Sequence, residues 1–206
     1  MSKVQIKICG ISCIEDVDMM NTVGVEYAGI VCFYPKSKRN QTMESAKILL
    51  QKFDSSIQTV AVTVSPSLEQ VNEISEAGFD IIQVHGELRE EVLEQREIPI
   101  FRALNISDEQ NIRVENHEHI IGYVLDGRNP GSGKTFNWSK LRSFQTEKLF
   151  ILAGGLNEGN VQEGMKQLDP DIVDVSTGVE YLDGHGKDPI KVQQFVSCVR
   201  QNGKSK

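Results

Sequence analysis

Eight short apolar runs recur along the chain, each followed by a polar or glycine-bearing turn and then by a stretch with helical spacing of apolar residues. The runs are Val4 to Ile8, Tyr27 to Phe33, Thr59 to Val64, Ile81 to Val84, Ile98 to Ala103, Ile120 to Leu125, Leu149 to Ala153 and Ile172 to Val175. Their ends fall about 24 residues apart, the length of one strand, one helix and two ordinary connections. Strands that are apolar at nearly every position need cover on both faces, and amphipathic helices alternating with them supply it in a parallel sheet. Eight such units predict an α/β fold, a compact (β/α)8 barrel.

The helical spacing covers Ile14 to Val23, Met43 to Phe53, Leu68 to Ala77, Glu90 to Gln95, Trp138 to Phe144, Val161 to Leu168 and Ile190 to Gln201, with a weaker signal from Asp108 to Glu115. Gly24 and Gly78 follow helix patterns and read as C-terminal caps, and Ser65-Pro66-Ser67 reads as a helix start. Shared among eight units, the 206 residues leave about 26 for each strand and helix, so a single catalytic domain over residues 1–206 is expected. An open doubly wound sheet, the alternative, calls for about five or six strands and a single crevice. No Gly-x-Gly-x-x-Gly follows the first run to support it.

Lys and Arg number 22 against 29 Asp and Glu, a net charge of −7. Phosphate neutralisation along a nucleic acid needs a basic face, and the basic clusters here, Lys36-Ser37-Lys38-Arg39 and Lys204-Ser205-Lys206, are short. No nucleic-acid partner is expected, although a localised anionic ligand fits. The first residues carry charges every few positions and lack the apolar core of a signal peptide, and no apolar run reaches membrane-spanning length. The expected compartment is the cytoplasm, with no membrane partner. Cys9, Cys13, Cys32 and Cys198 have no zinc-site spacing and are expected to stay reduced; neither metal nor cofactor is expected.

Local chemistry concentrates at the ends of the runs. The seventh ends in Ala153-Gly154-Gly155-Leu156 and the eighth in Asp174-Val175-Ser176-Thr177-Gly178. Paired glycines let backbone amides approach an anion, and a short helix expected at Val179 to Leu182 would aim its positive end at it. Each loop alone reads equally well as a turn; two on adjacent strands form the phosphate site common in such barrels. Cys9 closes the first run and is expected at the barrel mouth, where a thiol becomes a useful base if positive charge favours the thiolate. Cys32 and Cys198 read as packing residues, and Cys13 as incidental. Asp126 closes the sixth run ahead of a glycine-rich loop, Gly127 to Phe136. Its Gly131-Ser132-Gly133-Lys134-Thr135 imitates the end of a P-loop, but Arg128 stands where that motif begins with glycine. Arg39, after the second run, suits a two-pronged bond to a carboxylate or a solvated surface. His85, after the fourth, suits the pocket or a structural place.

Lys7-Ile8-Cys9-Gly10-Ile11, Tyr34-Pro35-Lys36-Ser37 with Arg39, Gln83-Val84-His85-Gly86, Gly131-Ser132-Gly133-Lys134-Thr135-Phe136-Asn137-Trp138, Ala153-Gly154-Gly155-Leu156 and Asp174-Val175-Ser176-Thr177-Gly178-Val179-Glu180 occur in order along the whole chain. Together they resemble the phosphoribosylanthranilate isomerase family. The resemblance implies an enzyme of tryptophan biosynthesis that converts N-(5-phosphoribosyl)anthranilate into 1-(2-carboxyphenylamino)-1-deoxyribulose 5-phosphate, an Amadori rearrangement, acting without cofactor as a monomer or homodimer. It implies Cys9 as general base and Asp126 as general acid. It further implies that Arg39, His85 and Asp174 bind substrate, Arg39 at the anthranilate carboxylate, and that Gly154, Gly155, Ser176, Thr177 and Gly178 bind its phosphate.

The chain departs from the family's common Ser-Pro-Arg at Ser37-Lys38-Arg39, and from its Pro-Gly-x-Lys-Asp turn at Asp183-Gly184-His185-Gly186-Lys187-Asp188. Three competing readings predict other residues. An isomerase of histidine synthesis would carry aspartate where Cys9 stands, and a ribulose-phosphate epimerase would carry metal-binding histidines. A barrel that only binds a phosphorylated metabolite would lack one of Cys9 and Asp126.

Overall fold

The computed structural model describes residues 3–95, 98–106, 114, 116–127, 138–141 and 144–201. Its strands are β1 (Gln5–Cys9), β2 (Tyr27–Cys32), β3 (Asn40–Gln41), β4 (Gln58–Val64), β5 (Ile81–His85), β6 (Ile100–Ile106), β7 (Ile120–Gly127), β8 (Leu149–Leu152) and β9 (Ile172–Val175). Its helices are α1 (Ile14–Val23), α2 (Met43–Leu50), α3 (Leu68–Ala77), α4 (Glu90–Leu93), α5 (Val161–Leu168) and α6 (Pro189–Gln201), with 3₁₀ turns at Trp138–Leu141 and Thr177–Val179.

All strand pairings are parallel, and β1 pairs with both β9 and β2, which closes eight strands into a barrel. The two-residue β3 is a spur on the outer end of β2. Alternation along the strands then divides the apolar residues into two cores. Ile6 and Ile8 of β1 pack outward in a core shared with Val17 and Met20 of α1 and Val192 and Phe195 of α6. Tyr27, Val60, Ile81, Phe101, Ile151 and Ile172 point inward and fill the barrel, with the Tyr27 and Phe101 rings edge to face at 5.8 Å between centroids. Towards the strands' C-terminal ends the inward positions become polar, at Cys9, Gln83, His85, Asn105, Asp126 and Asp174, so the barrel is dry at one end and chemically equipped at the other.

Caps place the helices as their sequences predict. Ser67 and Gln70 form a reciprocal capping box on α3, and Gly24 and Gly78 adopt the left-handed conformation at φ 62° and 91°. Other boundaries depart from expectation for local reasons. The helix expected to reach Phe53 ends at Leu50, after which bonds from Lys52 and Phe53 to Leu49 and Leu50 tighten the chain into turns. The one expected to reach Gln95 stops at Leu93, because the Gln95 side chain bonds both the N–H and the C=O of Ile98. Trp138 opens a 3₁₀ turn rather than an α-helix to Phe144. β6 and β7 outrun their apolar runs together, pairing Asn105 with Asp126 and Ile106 with Gly127. The weak helix around Asp108 to Glu115 and the loop beyond Gly127 lie outside the described residues, apart from irregular Val114.

Candidate active site

The C-terminal ends of the strands surround a cavity of about 320 Å³. Each residue singled out in the sequence lines it: Cys9, Arg39, His85, Asp126, Asp174 and the loop residues Gly154, Gly155, Ser176, Thr177 and Gly178. Cys9 is the last residue of β1 and Asp126 lies within β7, so both sit on rigid strands rather than on loops.

Burial sets the protonation of this pair. It pushes the Asp126 carboxyl up to about 7, helped by the negative charge of Asp174 and opposed by the Gly127 N–H and Lys7. Burial leaves the Cys9 thiol raised above its ordinary value; Lys7 is the strongest pull against that rise, Lys187 and Arg39 add to the pull, and the negative charge of Asp174 opposes it. Asp174 is bound to Lys7 at 2.8 Å, Lys7 itself being fully buried inside the barrel. The second Asp174 oxygen, Oδ1, is buried and accepts no hydrogen bond among the described residues. An orphaned carboxylate oxygen on a cavity wall is an acceptor awaiting a ligand donor.

His85 is partly buried, and that loss of solvent lowers it to about 4 with help from the positive charges of Lys7 and Arg102, so the imidazole is neutral at pH 7. Its Nε2 lies 2.8 Å from the Gln83 amide nitrogen, whose partner oxygen is buried without a bond among the described residues. Gln83 thus offers the cavity a second polar atom, one alternation before His85 in the Gln83-Val84-His85-Gly86 motif.

The two glycine loops come together by direct contact. A β-carbon on Gly178 would stand 2.0 Å from the Leu156 carbonyl oxygen, so only glycine lets the turn after β9 pass the loop after β8. Asn160 donates to the Gly155 carbonyl at 2.9 Å and fixes that loop from behind. The amides of Gly154, Gly155 and Gly178 have no acceptor among the described residues. The helix expected at Val179 to Leu182 does not form: Thr177–Val179 is a single 3₁₀ turn and Glu180 leaves it extended. The reason is Glu180 itself, whose side chain turns back into the protein.

Glu180 is 4% exposed and receives Arg39 through two hydrogen bonds, Nη2 to Oε2 at 2.9 Å and Nε to Oε1. Arg39 Nη2 also donates to Thr177 Oγ1 at 2.9 Å. Burial alone would raise the Glu180 carboxyl, but Arg39 and Lys187 hold it down at about 2. Lys187, fully buried, donates to Glu180 Oε1 at 3.2 Å and to the Ser176 carbonyl at 3.3 Å. Lys38, where the resembled family commonly has proline, reaches Glu180 Oε2 at 3.3 Å and the Gly184 carbonyl at 3.0 Å. The loop after β2 is therefore pinned by charge instead of by a pyrrolidine ring.

A family model described as N-(5'phosphoribosyl)anthranilate (PRA) isomerase matches residues 6–198. The chain belongs to this family. The N-(5'-phosphoribosyl)anthranilate isomerase of Clostridium kluyveri (strain NBRC 12016) is 40% identical to it over 199 residues, covering 96% of this chain and 98% of that one. That of Thermoanaerobacter pseudethanolicus is 35% identical over 203 residues, with the same 96% and 98% covered. The phosphoribosylanthranilate isomerase of Thermus thermophilus superposes with a TM-score of 0.85 at 27% identity, covering 97% of this chain and all, 100%, of that one. A further isomerase structure, TM-score 0.78 and 27% identical over 96% of this chain and 99% of its own, was solved with reduced 1-(o-carboxyphenylamino)-1-deoxyribulose 5-phosphate. This chain's activity is thus the phosphoribosylanthranilate isomerase step of tryptophan biosynthesis. Within such an isomerase, the polar groups that the sequence does not mark as site residues are Lys7 and Asn105, whose partners Asp174 and His85 lie on other strands, and Gln83 and Lys187, whose partners lie in their own strand and loop.

Proposed function

We propose that Asp126 is the general acid and Cys9 the general base of an Amadori rearrangement of N-(5'-phosphoribosyl)anthranilate, carried out by the 206 residues as one catalytic domain in the cytoplasm. The observation that carries this reading is the pair itself: two titratable side chains on separate strands, lining one cavity with an anion-ready loop pair beside them. With its carboxyl at about 7, Asp126 is protonated in about half of the molecules at neutral pH, unlike an ordinary aspartate. It passes its proton to the ribose ring oxygen as the bond from that oxygen to C1 breaks. The nitrogen lone pair moves into a C=N bond, and the resulting iminium acidifies the proton on C2. The Cys9 thiolate takes that proton, the electrons of the C–H bond form a C1–C2 double bond as the C=N pair returns to nitrogen, and the resulting enolamine tautomerises to the aminoketose. Each transfer is worth about 10² to 10⁴ in rate.

The remaining residues bind. The amides of Gly154, Gly155 and Gly178, with the Ser176 and Thr177 hydroxyls, hold the 5'-phosphate. Arg39 meets the anthranilate carboxylate through Nη1, the guanidinium nitrogen that its bonds to Glu180 and Thr177 leave unused. Asp174 Oδ1 and the neutral His85 line the ribose. Purified protein mixed with fresh phosphoribosylanthranilate tests the roles directly: loss of substrate fluorescence in the native protein, and none above buffer in Cys9→Ser or Asp126→Asn, is expected. Full turnover by both variants would overturn the acid and base assignments while leaving the family's activity intact.

A further inference from the structure

Lys7 is the least expected residue of the barrel interior. It stands in β1 between Ile6 and Ile8, yet its ammonium is fully buried, and its place in the strand puts it on the same inward face as Cys9. Burying a cation is costly unless an anion or acceptor meets it. One such anion is plain: Asp174 Oδ2, 2.8 Å away on the neighbouring strand β9. The other side of the ammonium faces the Cys9 sulfur. Both atoms crowd over Gly29 of β2, where a β-carbon would stand 3.1 Å from Cys9 Sγ and 3.3 Å from Lys7 Nζ. The absent side chain at Gly29 is what makes room for the two to share that space.

We propose that Lys7 is a positioning residue, the buried counter-ion of the Cys9 thiolate, with Asp174 holding it beneath the sulfur. This rests on Cys9 being the base. The other charged groups facing the sulfur divide by element: Lys187 and Arg39, on the loops after β9 and β2, are each committed to Glu180, while Asp174 on β9 and Asp126 on β7 are acids. His85 on β5 is neutral. Lys7 is therefore the cation whose remaining capacity points at the thiol. It interacts with Cys9 as well as with Asp174, and both raise it against the effect of burial, so it stays protonated throughout the working range. Burial holds the Cys9 thiol above its ordinary value even with Lys7 beside it, and without that partner the thiol would be raised further still.

The geometry demands opposite responses from the two members of the pair. Removing the charge in Lys7→Met takes the partner from the sulfur and leaves Asp174 opposing the thiolate. Neutralising Asp174 in Asp174→Asn leaves the sulfur as the sole anionic partner of Lys7. The readout is the pH dependence of Cys9 alkylation by iodoacetamide in the full chain, followed by mass spectrometry of the Cys9 peptide so that Cys13, Cys32 and Cys198 do not contribute. The midpoint is expected to rise in Lys7→Met by a unit or more, about a tenfold loss of alkylation rate at a fixed pH below it. It is expected to fall in Asp174→Asn. Should Lys7→Met fail to fold, the double variant Lys7→Met/Asp174→Asn, which buries no lone charge, is compared with Asp174→Asn and is expected to have the higher midpoint. Midpoints that do not move, or that move the same way in both single variants, overturn the proposal. Alkylation reads the charge on sulfur whether or not Cys9 is the base, so failure here is distinct from failure of Cys9→Ser to lose turnover.

Discussion

Arg39 and Glu180, 141 residues apart in sequence, meet in a two-pronged ion pair at the barrel mouth. The pair fixes the plane of the guanidinium and turns its remaining edge toward the cavity. Glu180 Oε1 also accepts from Lys187, which has no solvent to fall back on.

Glu180→Gln should therefore act on both stability and binding. Leaving Lys187 buried without its anion costs about 3–5 kcal/mol, visible as a lower urea midpoint. In the folded fraction Arg39 loses its fixed plane, so KM should rise about tenfold while kcat changes little, because the bond to substrate is made equally in ground and transition states. A fall in kcat at constant KM would place Glu180 in the chemistry instead.

Asp126→Asn should change how stability depends on pH. The folded carboxyl titrates at about 7 and the unfolded one near its ordinary 3.8, so between those values the folded state binds more protons. Stability then falls as pH rises through that window, by at most about 4 kcal/mol in total, and the contribution is fully present only below the lower value. The variant should lose this slope and be more stable than the native protein above pH 7. Urea titrations at several pH values measure both, and identical slopes would mean that Asp126 is not desolvated as described.

Gly178→Ala should be harmful out of proportion to one methyl group. The new β-carbon would meet the Leu156 carbonyl oxygen at 2.0 Å and Asn157 Cβ at 3.2 Å. The first is backbone and cannot rotate away, so the two loops must separate. The expected outcome is weaker competitive inhibition by inorganic phosphate and a higher KM, with near-native circular dichroism; unchanged inhibition would remove the phosphate from this loop pair.

His85→Asn tests the neutral imidazole. Since burial and the charges of Lys7 and Arg102 hold His85 at about 4, its charge plays no part at neutral pH, and the variant should retain the native pH–rate profile between pH 6 and 8 with a modestly raised KM. A limb lost near pH 6.5 would show that His85 titrates in the working range.

Much of this protein is written locally. The alternation of apolar runs with amphipathic stretches follows from strands that must be covered on two faces, and Gly24, Gly78 and Ser67 punctuate it with caps that need no tertiary partner. Cys9 is legible because it ends an apolar run before a glycine, and the loops at Gly154 and Gly178 because glycine pairs expose amides. Where the structure departs from the local pattern, a side chain competes with the helix: Gln95 bonds nearby Ile98, and Glu180 turns to Lys187 and to Arg39, 141 residues away.

Sequence thus determined the repeating unit, its number and the end of each strand where chemistry collects. It could say that Lys7 and Cys9 share a face, because side chains alternate along a strand. That the shared face is a dry interior was decided only by closure of β1 onto β9 and β2. Closure brought Asp174, 167 residues away, against the Lys7 ammonium, and made a surface-looking lysine into a buried charge. Electrostatics depends on distance and on exclusion of water, and neither exists along the chain until the barrel has formed.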